Sequence, residues 1–222
     1  MRRFHTHGLT HPQSRYPRWL LKQSCCRCDR PSAVLGSRPL CATCHRELQA
    51  CQRPTPLQLN PQRIVWGHYQ GALRQLMHRL KYQHQPAIAD LFGQHLAQLW
   101  PQHQLPILSL VPIPLHPHKQ AQRGYNQAEL IARSLSQWSH LPLTPDLLQR
   151  SQDTIPQHGL SLVERQTNLE QAFAIGGCRL PQGAPPLLLV DDIYTTGTTI
   201  AMATQTLAAH GYQVWGSIVV AA

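Results

Sequence analysis

The chain has 222 residues, 42% of them hydrophobic, and a formal charge of +10 at neutral pH. This length suits one domain of ordinary size with a small addition, and no apolar run approaches the roughly 20 residues that would insert into a membrane. The charge is local: residues 1–53 contain ten of the twenty Lys and Arg but two of the ten Asp and Glu, a net +8 that leaves +2 elsewhere. This segment either attracts nucleic-acid phosphates or is a solvated arm.

Composition divides the chain into three parts. We predict a basic flexible tail at residues 1–24, a zinc-ribbon module at residues 25–53 and a larger domain at residues 54–222. Pro54 and Pro56 begin the joint after the module, because proline lacks the N–H that a helix interior needs. The opening residues contain no apolar stretch typical of a secretory signal, so we expect a cytoplasmic protein.

The module has cysteines at the spacing of a metal site. Two Cys-x2-Cys pairs, twelve residues apart, are typical of a four-thiolate zinc ribbon. The predicted zinc ligands are Cys25, Cys28, Cys41 and Cys44. Disulfides are rare in the cytoplasm, so the alternatives are reduced thiols or a redox pair, and a redox pair needs only one Cys-x2-Cys. Cys26 and His45 adjoin these positions and would serve only in a different register.

After the module, predicted strands and helices alternate along the chain. Apolar residues at helical spacing predict helices at residues 71–80, 88–99, 127–138 and 199–210. Short apolar runs predict strands at residues 63–66, 107–111, 187–190 and 214–220. This order is typical of an α/β fold, in which helices flank a mostly parallel sheet.

The strongest functional signal is the segment LLLVDDIYTTGTTI, residues 187–200, in which a buried strand leads through Asp191 and Asp192 into a threonine-rich loop. Ligands of open α/β sheets bind at the carboxyl ends of the strands. Hydroxyls, a glycine and the free N–H groups of a helix start suit a phosphate, whereas two carboxylates suit sugar hydroxyls or Mg²⁺. An ordinary turn with an acidic N-cap requires neither a second acid nor four threonines. The loop residues are Thr195, Thr196, Gly197, Thr198 and Thr199.

This segment resembles the motif by which type I phosphoribosyltransferases bind 5-phosphoribosyl-1-pyrophosphate (PRPP). The resemblance implies that Asp191 and Asp192 hold the ribose hydroxyls, that residues 195–199 hold the 5′-phosphate, and that Mg²⁺ accompanies the ligand. A second segment, VPIPLHPHKQAQRGYNQAELIA at residues 111–132, resembles the ComF/GntX family, which is phosphoribosyltransferase-like. Shorter matches precede and follow it in consistent order. Members of that family are linked to DNA uptake in natural competence.

A pyrophosphate group needs cationic partners beyond the loop. Lys119 and Arg123 supply charge, and the forked donors of arginine suit phosphate oxygens. Lys81, at the end of a predicted helix, either reaches the same ligand or only balances the helix C-terminus. We therefore take Asp191, Asp192 and Arg123 as candidate catalytic residues and add Lys81 to the candidate PRPP ligands.

Two functions fit these observations. The first is Mg²⁺-assisted transfer of the phosphoribosyl group from PRPP to a nitrogen nucleophile, which the sequence does not identify. The second is a non-catalytic protein that handles single-stranded DNA, in which PRPP is a regulatory ligand and Tyr16, Trp19 and nearby arginines bind the strand. A vestigial loop is disfavoured because both acids and the Thr-Gly-x-Thr element are intact.

Overall fold

The computed structural model describes residues 23–32, 39–53, 57–59, 62–100, 107–150, 172–181 and 183–222, so the predicted tail lies outside it except for its last two residues. The helices are α1 (Ala42–Gln49), α2 (Gly71–Tyr82), α3 (Ala87–Leu99), α4 (Pro117–Arg123), α5 (Gln127–Ser139) and α6 (Thr198–Ala209). The strands are β1 (Gln23–Ser24), β2 (Pro31–Ser32), β3 (Leu57–Leu59), β4 (Gln62–Gly67), β5 (Ser109–Pro112), β6 (Leu148–Arg150), β7 (Phe173–Ile175), β8 (Leu187–Ile193) and β9 (Val214–Ala221).

The central sheet has five strands in the order β3-β4-β9-β8-β5. The last four are parallel, and β3 is an antiparallel edge strand. The predicted α/β fold with a mostly parallel sheet is therefore confirmed. Pro112, the last residue of β5, pairs with Val190 of β8. The segments that follow these two strands consequently leave the sheet at the same edge, where the predicted site residues begin.

Strand β8 is buried on both faces. Leu188 and Val190 belong to a core with apolar residues of α1, α2, α3 and α5, whereas Leu187 and Leu189 belong to a second core under α6 and the β6–β7 pair. Side chains alternate across a strand, so a strand covered on both sides has to be apolar at every position. The continuous apolar run at the start of β8 therefore agrees with its burial on both faces.

The predicted helices and strands all occur, with shifted ends. Strand β8 extends to Ile193, three residues beyond the predicted end, so Asp191 and Asp192 are strand residues and not the first residues of a loop. Strand β5 begins at Ser109 instead of residue 107. Ile107 is 71% exposed, although its apolar character suggested burial. Among the helices of the described residues, none has the length and apolarity needed to cross a bilayer.

Helix α4 was not predicted, because two prolines precede it and it is short. The sequence nevertheless contains its end signals. Pro117 occupies the first turn, where its missing N–H is harmless, and the His116 side chain accepts from His118 N–H at 3.2 Å. Gly124 closes the helix in the left-handed conformation, with φ +79°. Proline at the start and glycine just past the end are the signal that would have located this helix.

The cysteine module and the sheet share one core. Cys25, Cys44 and Leu48 are buried in the same cluster as Ile64 of β4 and Leu73 of α2. Residues 25–53 therefore pack directly on the larger domain, and no separate core of the module exists among the described residues.

Candidate functional site

Two adjacent carboxylates lie near the carboxyl end of β8. Asp192 is buried, with 4% exposure, and its Oδ2 lies 2.9 Å from Lys81 Nζ at the end of α2. The Asp192 backbone N–H donates to Asp191 Oδ1 at 2.8 Å. By the alternation of β8, Asp192 is on the α2 side of the sheet, as its ion pair with Lys81 shows, and Asp191 is on the side of α6 and β6. The two acids therefore have different surroundings.

The electrostatics of this pair are unequal. Burial raises the pKa of Asp191 to about 8, and the charge of Asp192 adds to the effect. The Asp192 backbone N–H, Lys81 and Arg150 act in the opposite direction. A carboxyl group held this way takes up a proton at neutral pH unless further positive charge arrives. The pair is therefore poised to bind a cation or a group that donates hydrogen bonds.

The threonine-rich loop turns the chain from β8 into α6. Gly197 is the residue before α6 and adopts φ +81°, a conformation that glycine reaches without strain. Thr196 and Thr198 are exposed or partly exposed, with their hydroxyl oxygens 2.9 Å apart, and Thr195 is exposed beside them. Thr199, also in the first turn of α6, is half-buried. The N-cap residue Gly197 has no side chain to cap α6, and the Thr198 N–H donates to the Thr196 hydroxyl at 3.4 Å. The loop therefore presents threonine hydroxyls together with the first backbone N–H groups of the helix.

Glycine is needed at residue 197 for a second reason. A Cβ atom there would lie 2.1 Å from the hydroxyl oxygen of Tyr194. The Tyr194 ring is itself fixed beneath the Arg63 guanidinium, whose carbon is 3.5 Å from the ring centroid. The loop is thus closed tightly around this ring, and its shape depends on a residue without a side chain.

Lys81 also lines a basic cleft. The cleft has a volume of about 240 Å³ and contains Lys119 and Arg123 of α4 together with Tyr82 and His84. All three cations proposed for pyrophosphate therefore lie in one cavity, and Lys81 joins that cavity to Asp192. Lys81 therefore has a partner beyond its own helix, and its role as a PRPP ligand stays a prediction.

The segment 123–127 builds this cleft through local contacts. Gly124 ends α4 and lets the chain reverse. The hydroxyl of Tyr125 then donates to the backbone carbonyl of Leu80, the residue before Lys81. This hydrogen bond ties the start of α5 to the end of α2, so Lys81 and α4 approach each other from opposite walls.

The next residues fix the base of the cleft. The Asn126 side chain donates to the Ile113 carbonyl and accepts from Ala128 N–H, both at 3.0 Å. It therefore caps α5 and binds that helix to the segment leaving β5. The Arg123 guanidinium donates to the side-chain oxygen of Gln127. These contacts give a physical reason for the Arg-Gly-x-Asn-Gln pattern at this point.

Arg150 was not predicted as a site residue. Its guanidinium carbon lies 5.1 Å from the centroid of the Phe173 ring. Burial lowers the pKa of Arg150, and the charge of Asp191 counteracts that effect. Arg150 therefore adds a fourth cation near the carboxylates, from the side of the sheet opposite to Lys81. It lies far from Asp191 in the sequence, and the shorter stretch around Arg150 that resembles the ComF/GntX family assigned this arginine no role in the site.

The four predicted zinc ligands lie together. The sulfur atoms of Cys25, Cys28, Cys41 and Cys44 are all within 4.8 Å of one another. Those of Cys28 and Cys41 are 3.8 Å apart. Tetrahedral Zn²⁺ with Zn–S bonds of about 2.3 Å separates its sulfur ligands by about 3.8 Å, far more than the roughly 2.05 Å of a disulfide. A cluster that fits a metal ion is thus confirmed, in the predicted register without Cys26 or His45.

The electrostatics of the cluster also favour a cation. Burial raises the pKa of Cys25, but the backbone N–H groups of Cys41, Arg27 and Cys28 outweigh it and bring the value to about 6. Burial and the neighbouring thiols raise the pKa of Cys44 to about 12. The Cys25 thiolate therefore forms readily, whereas that of Cys44 does not. Four thiolates would coexist here only around a positive ion.

Three known proteins resemble the chain over most of its length. Competence protein F of Haemophilus influenzae is 32% identical over 202 residues, which cover 85% of this chain and 88% of that protein. DNA utilization protein YhgH of Escherichia coli is 31% identical over 208 residues, which cover 86% and 88%. Competence protein ComFC of Bacillus subtilis is 26% identical over 194 residues, which cover 84% and 72%.

No protein-family model matches the sequence. The first two relatives nevertheless exceed 30% identity while aligning with nearly all of both chains. The chain therefore belongs to the ComF family.

Proposed function

We propose that this protein binds PRPP together with Mg²⁺ at the carboxyl end of β8. The position of Lys81 carries the proposal. Its ammonium group lies 2.9 Å from Asp192 and also lines the cleft that contains Lys119 and Arg123. A PRPP site needs carboxylates next to a cationic cleft, because PRPP bears ribose hydroxyls and a phosphate at one end and a pyrophosphate at the other. The site therefore matches both the hydroxyls and the charge of the ligand.

Each group of site residues would contact a different part of PRPP. The hydroxyls and N–H groups of residues 195–199 suit the 5′-phosphate. Asp191 and Asp192 would receive the ribose hydroxyls and offer oxygens to Mg²⁺, which partly neutralises the pyrophosphate when it is bound. Lys81, Lys119 and Arg123 would contact the pyrophosphate oxygens directly.

The same arrangement supports transfer of the phosphoribosyl group. As a nitrogen nucleophile forms its bond to C1 of the ribose, the bond from C1 to the pyrophosphate oxygen breaks and that oxygen takes the electron pair. The cations of the cleft would stabilise the negative charge that develops on the pyrophosphate as it leaves. Electrostatic stabilisation of this kind is usually the largest single contribution to lowering an activation barrier. The DNA-linked names of the relatives suggest a role near DNA uptake or nucleotide metabolism.

Thermal unfolding tests the binding site. PRPP with Mg²⁺ at about 100 times Kd should stabilise the wild type by about 2.7 kcal/mol through mass action. The double variant Asp191→Asn/Asp192→Asn should gain no stability from the ligand. Asp90→Asn, in an exposed acid of α3, is the matched control and should respond like the wild type. An equal shift of all three melting temperatures would rule out this site.

Pyrophosphate release tests the chemistry. With PRPP and a panel of nitrogen bases, the wild type should release pyrophosphate and Arg123→Gln should do so about 100-fold more slowly. A wild type that binds PRPP but releases no pyrophosphate with any base would instead favour a regulatory ligand.

A second candidate function is the handling of single-stranded DNA. Tyr82 is 65% exposed and lines the cleft beside Lys119 and Arg123. Single strands bind where an aromatic ring offers stacking and cations contact the phosphates. The other proposed aromatic residues, Tyr16 and Trp19, lie outside the described residues.

Binding of single-stranded DNA should depend on stacking against Tyr82 and on the salt concentration. Tyr82→Ala should weaken oligonucleotide binding by about 1–3 kcal/mol, whereas Tyr69→Ala, in another partly exposed tyrosine, should not. Removal of residues 1–23 should make the salt dependence shallower by about 0.7 in the log–log slope for each phosphate that the tail neutralises. Equal affinity and slope in all these proteins would exclude both surfaces.

We also propose that the four cysteines hold one structural Zn²⁺ per chain. Replacing Cys25, Cys28, Cys41 or Cys44 with serine should abolish zinc binding, because each thiolate would be one of the four ligands of a tetrahedral site. Cys178→Ser, in an exposed cysteine outside the cluster, should retain the metal. Elemental analysis of protein purified without chelator decides the matter, and loss of zinc with Cys26→Ser would indicate a different register.

A further inference from the structure

We propose that the four-cysteine module positions Lys81 through Arg79, so that metal loading of the module supports ligand binding at the carboxyl end of β8. The contact that makes this link joins Asp29 and Arg79, 50 residues apart in the sequence. For its consequence on binding this inference rests on the proposed function, whereas the mechanical link does not. The link runs from the turn between Cys25 and Cys28, through α2, to the ion pair with Asp192.

The first connection is a clamp on the metal-binding turn. The two terminal nitrogens of Arg79 donate to the two carboxylate oxygens of Asp29 at 2.7 and 2.6 Å. One of them also donates to the Cys26 carbonyl at 3.1 Å. Cys26 lies between the ligands Cys25 and Cys28, and Asp29 follows directly. A metal ion bound by the cysteines would fix the shape of this turn. The positions of the Asp29 carboxylate and the Cys26 carbonyl, which bind Arg79, depend on that shape.

Asp29 adopts a left-handed backbone conformation within this turn. Its φ is +59°, in a region that residues other than glycine, asparagine and aspartate rarely occupy. Its backbone N–H donates to the Cys25 carbonyl at 2.9 Å. If the cysteines lost their common centre, Asp29 would be free to leave this strained conformation, and its paired hydrogen bonds with Arg79 would break.

A second contact keeps the module on the same face of α2. Arg27 Nε donates to the Gln75 side-chain oxygen at 2.7 Å, and its terminal nitrogen contacts Glu47 of α1. Gln75 and Arg79 are four residues apart and therefore lie on one side of the helix. The module thus grips α2 at two successive turns.

The end of α2 is held at three consecutive residues. Arg79 is held by the metal-binding turn, the Leu80 carbonyl accepts from Tyr125, and Lys81 pairs with Asp192. Helix ends fray because their last carbonyl groups have no partner within the helix. Without the first anchor, the last turn would move more freely and Lys81 would spend less time between the carboxylates and the basic cleft.

Arg79→Met in the full chain tests the link, since methionine keeps most of the apolar stem and removes the guanidinium. Arg74→Met is the matched control, because Arg74 is an exposed arginine of the same helix with no side-chain partner in the described part of the chain. Hydrogen exchange of residues 79–83, zinc content and the Kd for inorganic pyrophosphate with Mg²⁺ should be measured on both variants and the wild type.

We expect Arg79→Met to retain zinc, to exchange the amides of the last turn about tenfold faster and to bind pyrophosphate about three- to tenfold more weakly. Arg74→Met should match the wild type, and removal of zinc from the wild type should reproduce the faster exchange. Unchanged exchange in Arg79→Met would overturn the link even if pyrophosphate binds normally. A wild type that binds no pyrophosphate would refute the proposed function, while hydrogen exchange would still decide the link.

Discussion

At the scale of single residues, adjacent acids acquire different properties from opposite sides of one strand. Asp192 faces Lys81, and the ion pair between them offsets the cost of burying the Asp192 charge. Asp191 is desolvated beside that charged neighbour, and burial raises its pKa to about 8. Two coupled carboxylates release their protons in two steps that belong to the pair. The pair therefore favours one shared proton more than two isolated carboxylates would, and a cation bound between them would oppose that preference.

The raised pKa of Asp191 should make stability depend on pH. Asp191 ionises near pH 4 when unfolded but near pH 8 when folded, so the fold should lose stability as pH rises through that interval. Asp191→Asn cannot ionise and should remove this loss, making the variant more stable than the wild type at pH 9 by up to a few kcal/mol. Urea unfolding at pH 5 and pH 9 measures the difference, and parallel pH profiles of the two proteins would contradict the assignment.

At the scale of elements, helix α6 has a glycine in a left-handed conformation just outside each end. Gly197 precedes the helix with φ +81°, and Gly211 follows it with φ +82°. They differ in their surroundings, since a Cβ at Gly197 meets Tyr194 whereas nothing lies within 4 Å of a Cβ at Gly211. Gly197 therefore provides both the left-handed backbone conformation and the space that Tyr194 occupies. Gly211 provides only the left-handed backbone conformation.

The two glycines give a matched pair of variants. Gly197→Ala and Gly211→Ala should each lose about 1 kcal/mol through backbone strain. Gly197→Ala should in addition displace Tyr194 and weaken PRPP binding at least tenfold, because the loop N–H groups move with the ring. Denaturant unfolding and ligand titration of both proteins separate these effects. Equal loss of affinity in both variants would show that the loop shape is not what Gly197 provides.

At the scale of the whole molecule, the four-cysteine cluster and the sheet are stabilised by the same apolar core. Leu48 of α1 is fully buried beside residues of α2 and β4, and Trp66 of β4 belongs to the same cluster. A module that shares its core with its neighbour cannot unfold alone without exposing apolar surface on both. We therefore expect the cysteine module and the sheet to unfold together.

Leu48→Ala tests this expectation. Removal of a buried leucine side chain should lower the free energy of unfolding by about 2–5 kcal/mol. Zinc release, followed with a chromogenic chelator, and tryptophan fluorescence should shift together along the denaturant axis in the wild type and in the variant. Leu207→Ala, in the second core, is the control of equal size and should also shift both signals. Zinc release well before the fluorescence change would mean that the module is an independent unit.

The sequence by itself determined the features whose residues are close together in the chain. Two Cys-x2-Cys pairs predicted the four-cysteine cluster in the correct register, and apolar periodicity predicted the main helices and strands of the α/β fold. The threonine-rich loop could be proposed as a sugar-phosphate site because its hydroxyls, glycine and helix start are consecutive, and that role stays a prediction. Short-range geometry fixes such features, so spacing alone reveals them.

The tertiary structure alone decided which distant charges meet. The sequence left two roles open for Lys81 and gave no reason to place Arg150 near Asp191, because the approach of α2 and β6 to β8 depends on how several elements pack. It likewise gave no sign that Arg79 holds the metal-binding turn. Periodicity identifies the face that a helix buries but not its partner, and the partner is what connects the cysteine module to the candidate site.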